Sequence, residues 1–328
     1  MGMILITGGA GFIGSNLAVR LAERHEIVVC DRLRKADCGK WANLAGAPLA
    51  DLISPEGLGG FLAAQGDALA AIVHLGAVSS TMEPDVDHIL AQNYTLSQTL
   101  WRWCTQAQKP LFYASSAAVY GDGSLGFADD NRLEAVARLR PLNPYGWSKQ
   151  LFDLWALREA EAGRAPPRWA GLRFFNVYGP REQHKGPQRS VAAQMLEAIT
   201  ADQPVRLFRS HRQDVPDGGQ RRDFIFVEDA CAVVEWLLAG DVQAGLLNVG
   251  SGAARRFLDL AEAAFQSLDR PPQITWTDTP PAMRNTYQYF TEADLDRLRG
   301  LGFTAPMGGL EAGVAAYAQW WRENAPSA

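Results

Sequence analysis

The sequence predicts an α/β fold, a doubly wound parallel sheet with a second, smaller α/β substrate lobe. Two features lead to this prediction. A short β-branched run at residues 3–7 ends at a glycine-rich turn, and apolar residues at helical spacing follow it. Similar short apolar runs then alternate with helix-length stretches, at residues 26–30, 71–75, 111–114 and 172–175. This alternation is typical of parallel sheets, because each parallel connection needs a crossover that is usually a helix.

The turn after the first run has glycine at three spaced positions, Gly8, Gly11 and Gly14. Gly8 permits the tight turn, Gly11 leaves room for a pyrophosphate beside the backbone, and Gly14 lets the helix pack closely on the strand. The N–H groups at the start of the helix, around Phe12 and Ile13, would face the phosphates. The spacing therefore predicts a dinucleotide-binding (Rossmann) domain rather than an ordinary glycine-rich turn.

The composition narrows the classes of function. The chain has 328 residues and a net charge of −5, enough length for one large domain or two lobes. The acidic balance argues against nucleic-acid or membrane-surface binding, so we expect a small-molecule partner. The four cysteines show no paired spacing and the histidines are scattered, so we expect neither disulfides nor a metal site. With no leader and no apolar span, the expected location is the cytoplasm.

The second apolar run ends at Asp31, where a carboxylate would accept hydrogen bonds from the adenosine ribose of a dinucleotide. An acid at this position favours NAD, because it repels a 2′-phosphate. Four basic residues follow at once, however, Arg32, Arg34, Lys35 and Lys40. They could neutralise a 2′-phosphate, or they could form a solvated basic loop. The sequence therefore favours NADP but leaves NAD possible.

The end of the third apolar run should line the cofactor crevice, because ligands of open parallel sheets bind at the carboxyl ends of strands. The residues concerned are Leu75, Gly76, Ala77, Val78 and Ser79. Asn93, on the predicted helix from 87 to 108, could face the same crevice. His74 lies inside the run and is better explained as a core histidine than as a catalyst.

A serine pair and a tyrosine–lysine pair follow the fourth run. Ser115 and Ser116 stand at its end, where a hydroxyl can donate to a substrate oxygen. Tyr145 and Lys149 are four residues apart on a predicted helix, so they lie on one face. An ammonium beside a phenol is expected to lower the pKa of the phenol, which would give a base able to take a hydroxyl proton during hydride transfer.

Taken in order, the stretches TGGAGFIG, SSAAVYG and YGWSK resemble the extended short-chain dehydrogenase/reductase family. Members act on nucleotide sugars through a bound nicotinamide. Three later stretches, RFFNVYGPREQHKG, RDF and YQYFT, resemble the branch of the family that epimerises ADP-glycero-manno-heptose. The resemblance covers nearly the whole chain. It implies epimerisation at C6″ with tightly bound NADP, in the supply of heptose for lipopolysaccharide, by a homo-oligomer.

The resemblance also implies roles for particular residues. Tyr145 and Lys185 would be the two acid/base groups, Lys149 would hold the nicotinamide ribose, and Ser116 would position the sugar oxygen. Lysine is scarce in this arginine-rich chain, which makes Lys185 a candidate acid/base group, but the residues alone favour a surface cation and only the resemblance assigns the role. Val177 would lie beside the cofactor. The implied substrate residues are Ser116, Asn176, Gln194, Phe208, Arg222 and Tyr287. Pro187, Gln194 and a longer segment from 210 to 222 depart from the family pattern, which affects the expected diphosphate and sugar contacts.

We expect a cofactor domain over residues 1–172, with return segments from about 223–250, and a substrate lobe over 173–328. Other functions stay open. A UDP-sugar 4-epimerase shares the glycine turn and the tyrosine–lysine pair but would not need Lys185. A 4,6-dehydratase would have an Asp-Glu pair where Ser115 and Ser116 stand. A non-catalytic NADP-binding scaffold would not need Tyr145 and Lys149.

Overall fold

The computed structural model describes residues 2–33, 39–284 and 287–324. The strands in these ranges are β1 (Met3–Thr7), β2 (Glu26–Cys30), β3 (Asp51–Ile53), β4 (Leu69–His74), β5 (Leu111–Ser116), β6 (Trp169–Phe174), β7 (Asn176–Tyr178), β8 (Val205–Arg209), β9 (Arg221–Phe226), β10 (Gly245–Val249), β11 (Ala254–Arg256) and β12 (Ile274–Asp278). The helices are α1 (Phe12–Leu21), α2 (Leu58–Gln65), α3 (Val86–Leu90), α4 (Leu96–Ala107), α5 (Leu133–Arg138), α6 (Pro144–Glu161), α7 (Val191–Thr200), α8 (Val227–Ala239), α9 (Phe257–Ser267), α10 (Pro281–Arg284), α11 (Asp296–Gly300) and α12 (Leu310–Asn324).

A parallel sheet of seven strands forms the centre, in the order β10-β6-β5-β4-β1-β2-β3. The strand order reverses between β1 and β4, and a crevice opens at such a reversal. The predicted doubly wound fold is confirmed. The last strand, β10, comes from late in the chain and pairs with β6 at the sheet edge.

The strands form because their apolar residues are buried on both faces. On β1, Ile4 and Ile6 join a core that includes residues of α1 and α8. Leu5 points to the opposite face and joins a core with Trp101 and Phe152, from α4 and α6. A strand covered by helices on both faces reads as a continuous apolar run, which is how β1, β2, β4, β5 and β6 were visible in the sequence. The short strand β3, which is largely exposed, was not predicted.

A third core belongs to the smaller lobe. It contains residues of α7, α9 and α12 together with Val205 and Leu207 of β8. Strand β8 pairs in parallel with β12, and a separate sheet has the order β11-β9-β7. The division of the chain into two units at residue 172 stays a prediction.

Three local expectations differ from the structure. The helix predicted from 87 to 108 is interrupted by a π-helical segment, Ala91–Thr95. Strand β5 continues through Ser116 instead of ending at Ala114. The sequence also predicts a helix that begins at Thr291. In the structure this helix begins only at Asp296, because the backbone N–H of Thr291 donates to the carbonyl of Arg221 and that of Ala293 to the Asp223 carboxylate.

A buried ion pair joins α6 to the sheet. The Asp153 carboxylate accepts hydrogen bonds from Arg173 Nε at 3.0 Å, Ser115 Oγ at 3.0 Å and Tyr113 Oη at 3.1 Å. The side chains of Asp153 and Arg173 are both fully buried. Arg173 also donates to the hydroxyl of Tyr120. These bonds hold α6, which carries Tyr145 and Lys149, against β5 and β6.

Replacing Asp153→Ala should lower the free energy of unfolding by roughly 3–5 kcal/mol, because it leaves the buried Arg173 guanidinium without its carboxylate. Urea unfolding followed by circular dichroism measures this. The control is Arg132→Ala, which removes an exposed ion pair with Asp130 and should cost less than about 1 kcal/mol. Equal effects of the two substitutions would contradict the prediction.

Candidate active site

Two glycines of the turn between β1 and α1, Gly8 and Gly14, are packed closely against backbone atoms. Gly8 has φ of 70°, and a Cβ there would lie 2.5 Å from the nitrogen of Gly76. A Cβ at Gly14 would lie 2.3 Å from the carbonyl oxygen of Gly8. Helix α1 therefore starts directly above the strand end, with Gly11 as its N-cap residue. N–H groups at a helix start favour an anion, so this cradle fits the pyrophosphate of a dinucleotide.

The end of β2 holds a charge pair. Asp31 Oδ2 accepts from the backbone N–H of Ala10 at 2.9 Å, and Lys40 Nζ donates to Asp31 Oδ1 at 2.6 Å. Arg32, expected beside the cofactor, instead pairs with Glu56 at 2.5 Å on the exposed surface. Arg34 and Lys35 lie outside the described residues. The Asp31 carboxylate, expected to bind the ribose, is thus already paired with the Lys40 ammonium in the folded chain.

The segment after β4 is held in place by side chains on both sides. Asn93 Oδ1 accepts from the backbone N–H of Val78 at 2.8 Å, and its Nδ2 donates to the Val78 carbonyl at 2.9 Å. Thr7 Oγ1 accepts from the N–H of Gly76 at 3.3 Å. Asn93 therefore fixes the backbone of the 75–79 segment at Val78. His74 pairs with the hydroxyls of Thr7 and Ser97, and burial lowers its pKa to about 3, so it is a neutral core residue.

Helix α6 brings Tyr145 to Ser116 because a glycine allows close packing. A Cβ at Gly146 would lie 2.7 Å from the carbonyl oxygen of Ala118, in the turn that follows β5. Asn143 caps the helix by accepting from the Gly146 N–H at 2.8 Å. The Ser116 side chain lies beside the phenol of Tyr145. One turn further along α6, Lys149 Nζ donates to the Ala114 carbonyl at 2.8 Å.

The expected lowering of the Tyr145 pKa by Lys149 is wrong for this structure. Burial raises the pKa of Tyr145, and the nearby Ser116 hydroxyl opposes this rise only in part. Burial also lowers the pKa of Lys149 to about 8, against the opposing charge of Asp153. The reason is geometric, since the ammonium donates to the carbonyl of Ala114.

Lys185 lies in a short helical turn, Gln183–Gln188, beside the start of α1. Its Nζ is 5.4 Å from the centre of the Phe12 ring. Burial lowers the pKa of Lys185, and the nearby Glu182 carboxylate opposes this shift. Glu182 is itself fully buried and accepts from Ser190 Oγ at 2.6 Å. A lysine whose pKa is lowered towards neutrality is suited to proton transfer.

Three of the six expected substrate residues meet in the smaller lobe. The Arg222 guanidinium, buried at 7% exposure, lies 5.3 Å from the ring centre of Tyr287, and that ring lies 6.3 Å from Phe208. Burial lowers the pKa of Arg222 to about 10. The other expected residues are more peripheral: Asn176 is exposed and Val177 half-buried on β7, and Gln194 is exposed and donates to the Arg189 carbonyl. Their roles stay predictions.

A family model described as NAD dependent epimerase/dehydratase family matches residues 4–250. The chain belongs to this family. The ADP-L-glycero-D-manno-heptose-6-epimerase of Nitratidesulfovibrio vulgaris strain DP4 is 44% identical over 320 residues, covering 96% of each chain. The protein of that name from Fusobacterium nucleatum is 39% identical over 327 residues, covering 97% of each. The family resemblance expected from the motifs is confirmed.

Solved structures of the epimerase/dehydratase family superpose on the whole chain. The crystal structure of Helicobacter pylori ADP-L-glycero-D-manno-heptose-6-epimerase gives a TM-score of 0.80 at 28% identity, covering 98% of this chain and 96% of that one. A UDP-N-acetylglucosamine 4-epimerase from Methanobrevibacter ruminantium gives 0.82 at 22% identity, covering 98% of each, which shows the fold alone. Membership of this family implies a nicotinamide cofactor, and the Gly8–Gly14 cradle fits one.

Two residues beside the substrate cluster were not anticipated. Tyr289 Oη accepts from the N–H of His211 at 2.9 Å and pairs with His211 Nδ1 at 2.8 Å. The His211 and Tyr289 ring centres are 5.0 Å apart, and Tyr289 also contacts Tyr287. The alternating aromatic residues of the YQYF stretch could have drawn attention to Tyr289. Nothing in the neighbouring sequence indicated that it would contact the loop that contains His211.

Among the described residues, no three His, Cys, Asp or Glu side chains stand close enough to hold a metal ion. Over the same part of the chain, every helix is too short or too polar to cross a membrane.

Lys149 should make stability depend on pH in a defined window. Its folded-state pKa is about 8, against an ordinary 10.5. Between these values the unfolded chain keeps a proton that the folded protein has lost, so this group raises the free energy of unfolding with pH, by at most about 1.4 kcal/mol per unit. Lys149→Met should remove that rise, measured by urea unfolding from about pH 7.5 to about pH 9.5. Lys109→Met, on the surface at the other end of β5, should keep it, and loss of the rise in both variants would refute the assignment.

Proposed function

We propose that this chain interconverts the two C6″ epimers of ADP-glycero-manno-heptose, and so supplies heptose for lipopolysaccharide. The observation that carries the proposal is a second base candidate, half-buried like the first. Tyr145 comes from α6, and Lys185 comes from the turn that packs beside Phe12 at the start of α1. Relatives of that name at 39–44% identity over nearly the full chain support the same substrate.

Two proton-transfer groups suit an epimerisation. When bound, the nicotinamide supplies hydride transfer, taking the C6″ hydrogen and returning it to the other face. Tyr145 or Lys185 takes the proton of the C6″ hydroxyl as the C–H bond breaks, which leaves a carbonyl. After the sugar turns, the other group gives a proton to that oxygen as the new C–H bond forms. The two epimers place the hydroxyl differently, so a base at each position serves both directions.

The remaining residues would hold the substrate. Ser116 lies beside Tyr145, so that both side chains could contact one sugar oxygen. Arg222 is buried against Tyr287 and Phe257, and the hydrogen bond that it makes goes to a neutral carbonyl, that of Arg221. A guanidinium in such surroundings is suited to a diphosphate oxygen. Phe208 and Tyr287 present the aromatic surface next to it.

We propose NADP as the preferred cofactor. A bare carboxylate at Asp31 would repel a 2′-phosphate, but Lys40 already neutralises it at 2.6 Å. The pair is largely buried, with side-chain exposures of 15% for Lys40 and 9% for Asp31. Arg32 is bound to Glu56 on the surface, and an exposed pair of this kind exchanges at little cost. From the family resemblance we also propose that the chain forms a homo-oligomer and that it divides into two lobes near residue 172.

The direct test of the reaction is incubation with ADP-D-glycero-D-manno-heptose, with the C6″ configuration followed by proton NMR. The purified protein should convert it to a mixture of both epimers. Tyr145→Phe and Lys185→Met should each slow turnover by roughly 10²–10⁴-fold, because each removes one proton-transfer group. Lys109→Met, which alters a surface lysine, should turn over at the wild-type rate.

Two outcomes would overturn this reading. No conversion by wild-type protein with bound cofactor would exclude the heptose substrate and direct the search to UDP- and GDP-sugars. Unchanged conversion of the heptose substrate by Lys185→Met would instead show that Lys185 is not one of the two proton-transfer groups.

The cofactor preference is tested at Lys40. In Lys40→Met the dissociation constant for NADP⁺ should rise by roughly tenfold or more, because a charge-assisted bond to the 2′-phosphate is lost. The constant for NAD⁺ should stay within about threefold, since Asp31 can still accept from the ribose hydroxyls. Fluorescence titration measures both. If the dissociation constants for NADP⁺ and NAD⁺ rose equally, Lys40 would not be a contact of the 2′-phosphate.

A further inference from the structure

A buried asparagine joins the cofactor turn to the turn that carries Lys185. Asn43 lies in the short helical turn Lys40–Leu44 and is 8% exposed. Its Nδ2 is 3.0 Å from the carbonyl oxygen of Ala10, in the glycine turn. The same nitrogen is 3.1 Å from the carbonyl oxygen of Arg181 and 3.0 Å from Nδ1 of His184, the residue next to Lys185.

A second asparagine fastens the same segment from the other side. Asn16, on α1, donates through Nδ2 to the carbonyls of Phe12 at 2.9 Å and Pro180 at 3.0 Å. Its Oδ1 accepts from Arg181 at 3.1 Å. Arg181 has φ of 69°, a conformation that a side chain adopts only where its surroundings require it. The backbone before Lys185 is thus held to the glycine turn by side-chain amides.

Asn43 also stands next to the residues expected to hold the adenosine ribose. It follows Lys40 by one turn of the same short helix. Ala10, which receives its hydrogen bond, gives its own N–H to Asp31. A continuous set of contacts therefore runs from Lys40 and Asp31, through Ala10 and Asn43, to His184.

We propose that Asn43 is a positioning residue that couples occupation of the Asp31 and Lys40 end of the cofactor site to the position of Lys185. The catalytic part rests on the proposed function of Lys185. A ligand held by Asp31 and Lys40 fixes the turn that contains Asn43, and Asn43 then fixes Arg181 and His184. Such coupling requires that the ligand favour one arrangement of these contacts over others.

The state of His184 supports the direction of the hydrogen bond. Burial, with the charges of Lys40 and Lys185 on either side, lowers the pKa of His184 to about 4. The imidazole is therefore neutral at physiological pH, and Nδ1 can accept from the Asn43 amide. The Asn43 amide has two N–H donors to share among the Ala10 carbonyl, the Arg181 carbonyl and His184 Nδ1, and an aspartate would supply none.

The test follows amide hydrogen exchange with NADP⁺ and needs no turnover. In the wild-type protein, NADP⁺ should slow exchange in the peptide covering residues 182–189. In Asn43→Asp that protection should fall by roughly tenfold or more, because both N–H donors of the amide are lost while the size of the side chain is kept. NADP⁺ titration ensures that the cofactor site is saturated in each case. If the Asn43→Asp protein does not fold, the same measurement is made on Asn43→Ser.

The matched control is Asn131→Asp. Asn131 also donates to two carbonyls, those of Asp129 at 2.8 Å and Leu246 at 3.0 Å, but it lies against β10. It should keep the protection of residues 182–189. Wild-type protection in Asn43→Asp, or equal loss in the control, would overturn the proposal. Because this readout is independent of epimerisation, a wrong substrate would show separately, as absent turnover in the wild-type protein.

A double-mutant cycle then asks whether Asn43 acts through Lys185. Asn43→Asp should lower kcat by roughly 10- to 100-fold, with KM within about threefold, because a small displacement of a proton-transfer group is costly. Combined with Lys185→Met, it should add less than about threefold to the effect of that substitution alone. A general structural role would instead multiply the two effects.

Discussion

A Cβ at residue 14 would lie 2.3 Å from the carbonyl oxygen of Gly8, so α1 can start above the end of β1 only while this position is glycine. Much of the site depends on that close approach. It places the N–H groups of α1 at the crevice, brings Ala10 to Asp31, and sets Asn16 where it can hold Pro180 and Arg181. The segment that leads to Lys185 is therefore anchored, through Asn16 and Asn43, to the same turn that would bind phosphates.

Burial determines the electrostatic behaviour of the site. Lys149, Lys185 and Arg222 are all withdrawn from water, and in each case this lowers the pKa. Buried carboxylates, Asp153 for Lys149 and Glu182 for Lys185, limit the effect. Arg222 has aromatic rings around it instead. The two lysines are thereby closer to titration than surface lysines, whereas the arginine keeps its charge for an anion.

Close packing and buried polar contacts together explain how remote segments form one crevice. Gly146 lets α6 approach the turn after β5, and the Asp153–Arg173 pair holds the same helix to the sheet. Glu182 fastens the loop after β7 to the start of α7 through Ser190. The proton-transfer candidates Tyr145 and Lys185 thus lie on two different segments, α6 and the turn Gln183–Gln188, and each segment is held by its own contacts. This arrangement suits chemistry on two faces of one carbon.

Local patterns in the sequence were enough for the parallel sheet, the glycine turn, and the shared face of Tyr145 and Lys149, because strand burial, turn geometry and helical spacing act over a few residues. The family motifs pointed to Lys185. Long-range contacts decided the rest. Asn43 meets Arg181 across 138 residues, and Tyr289 meets His211 across 78, with no local pattern to announce either pair. The pKa of Tyr145 moved opposite to expectation, and residues 291–293 form no helix, because burial and hydrogen-bond partners exist only once the chain has folded.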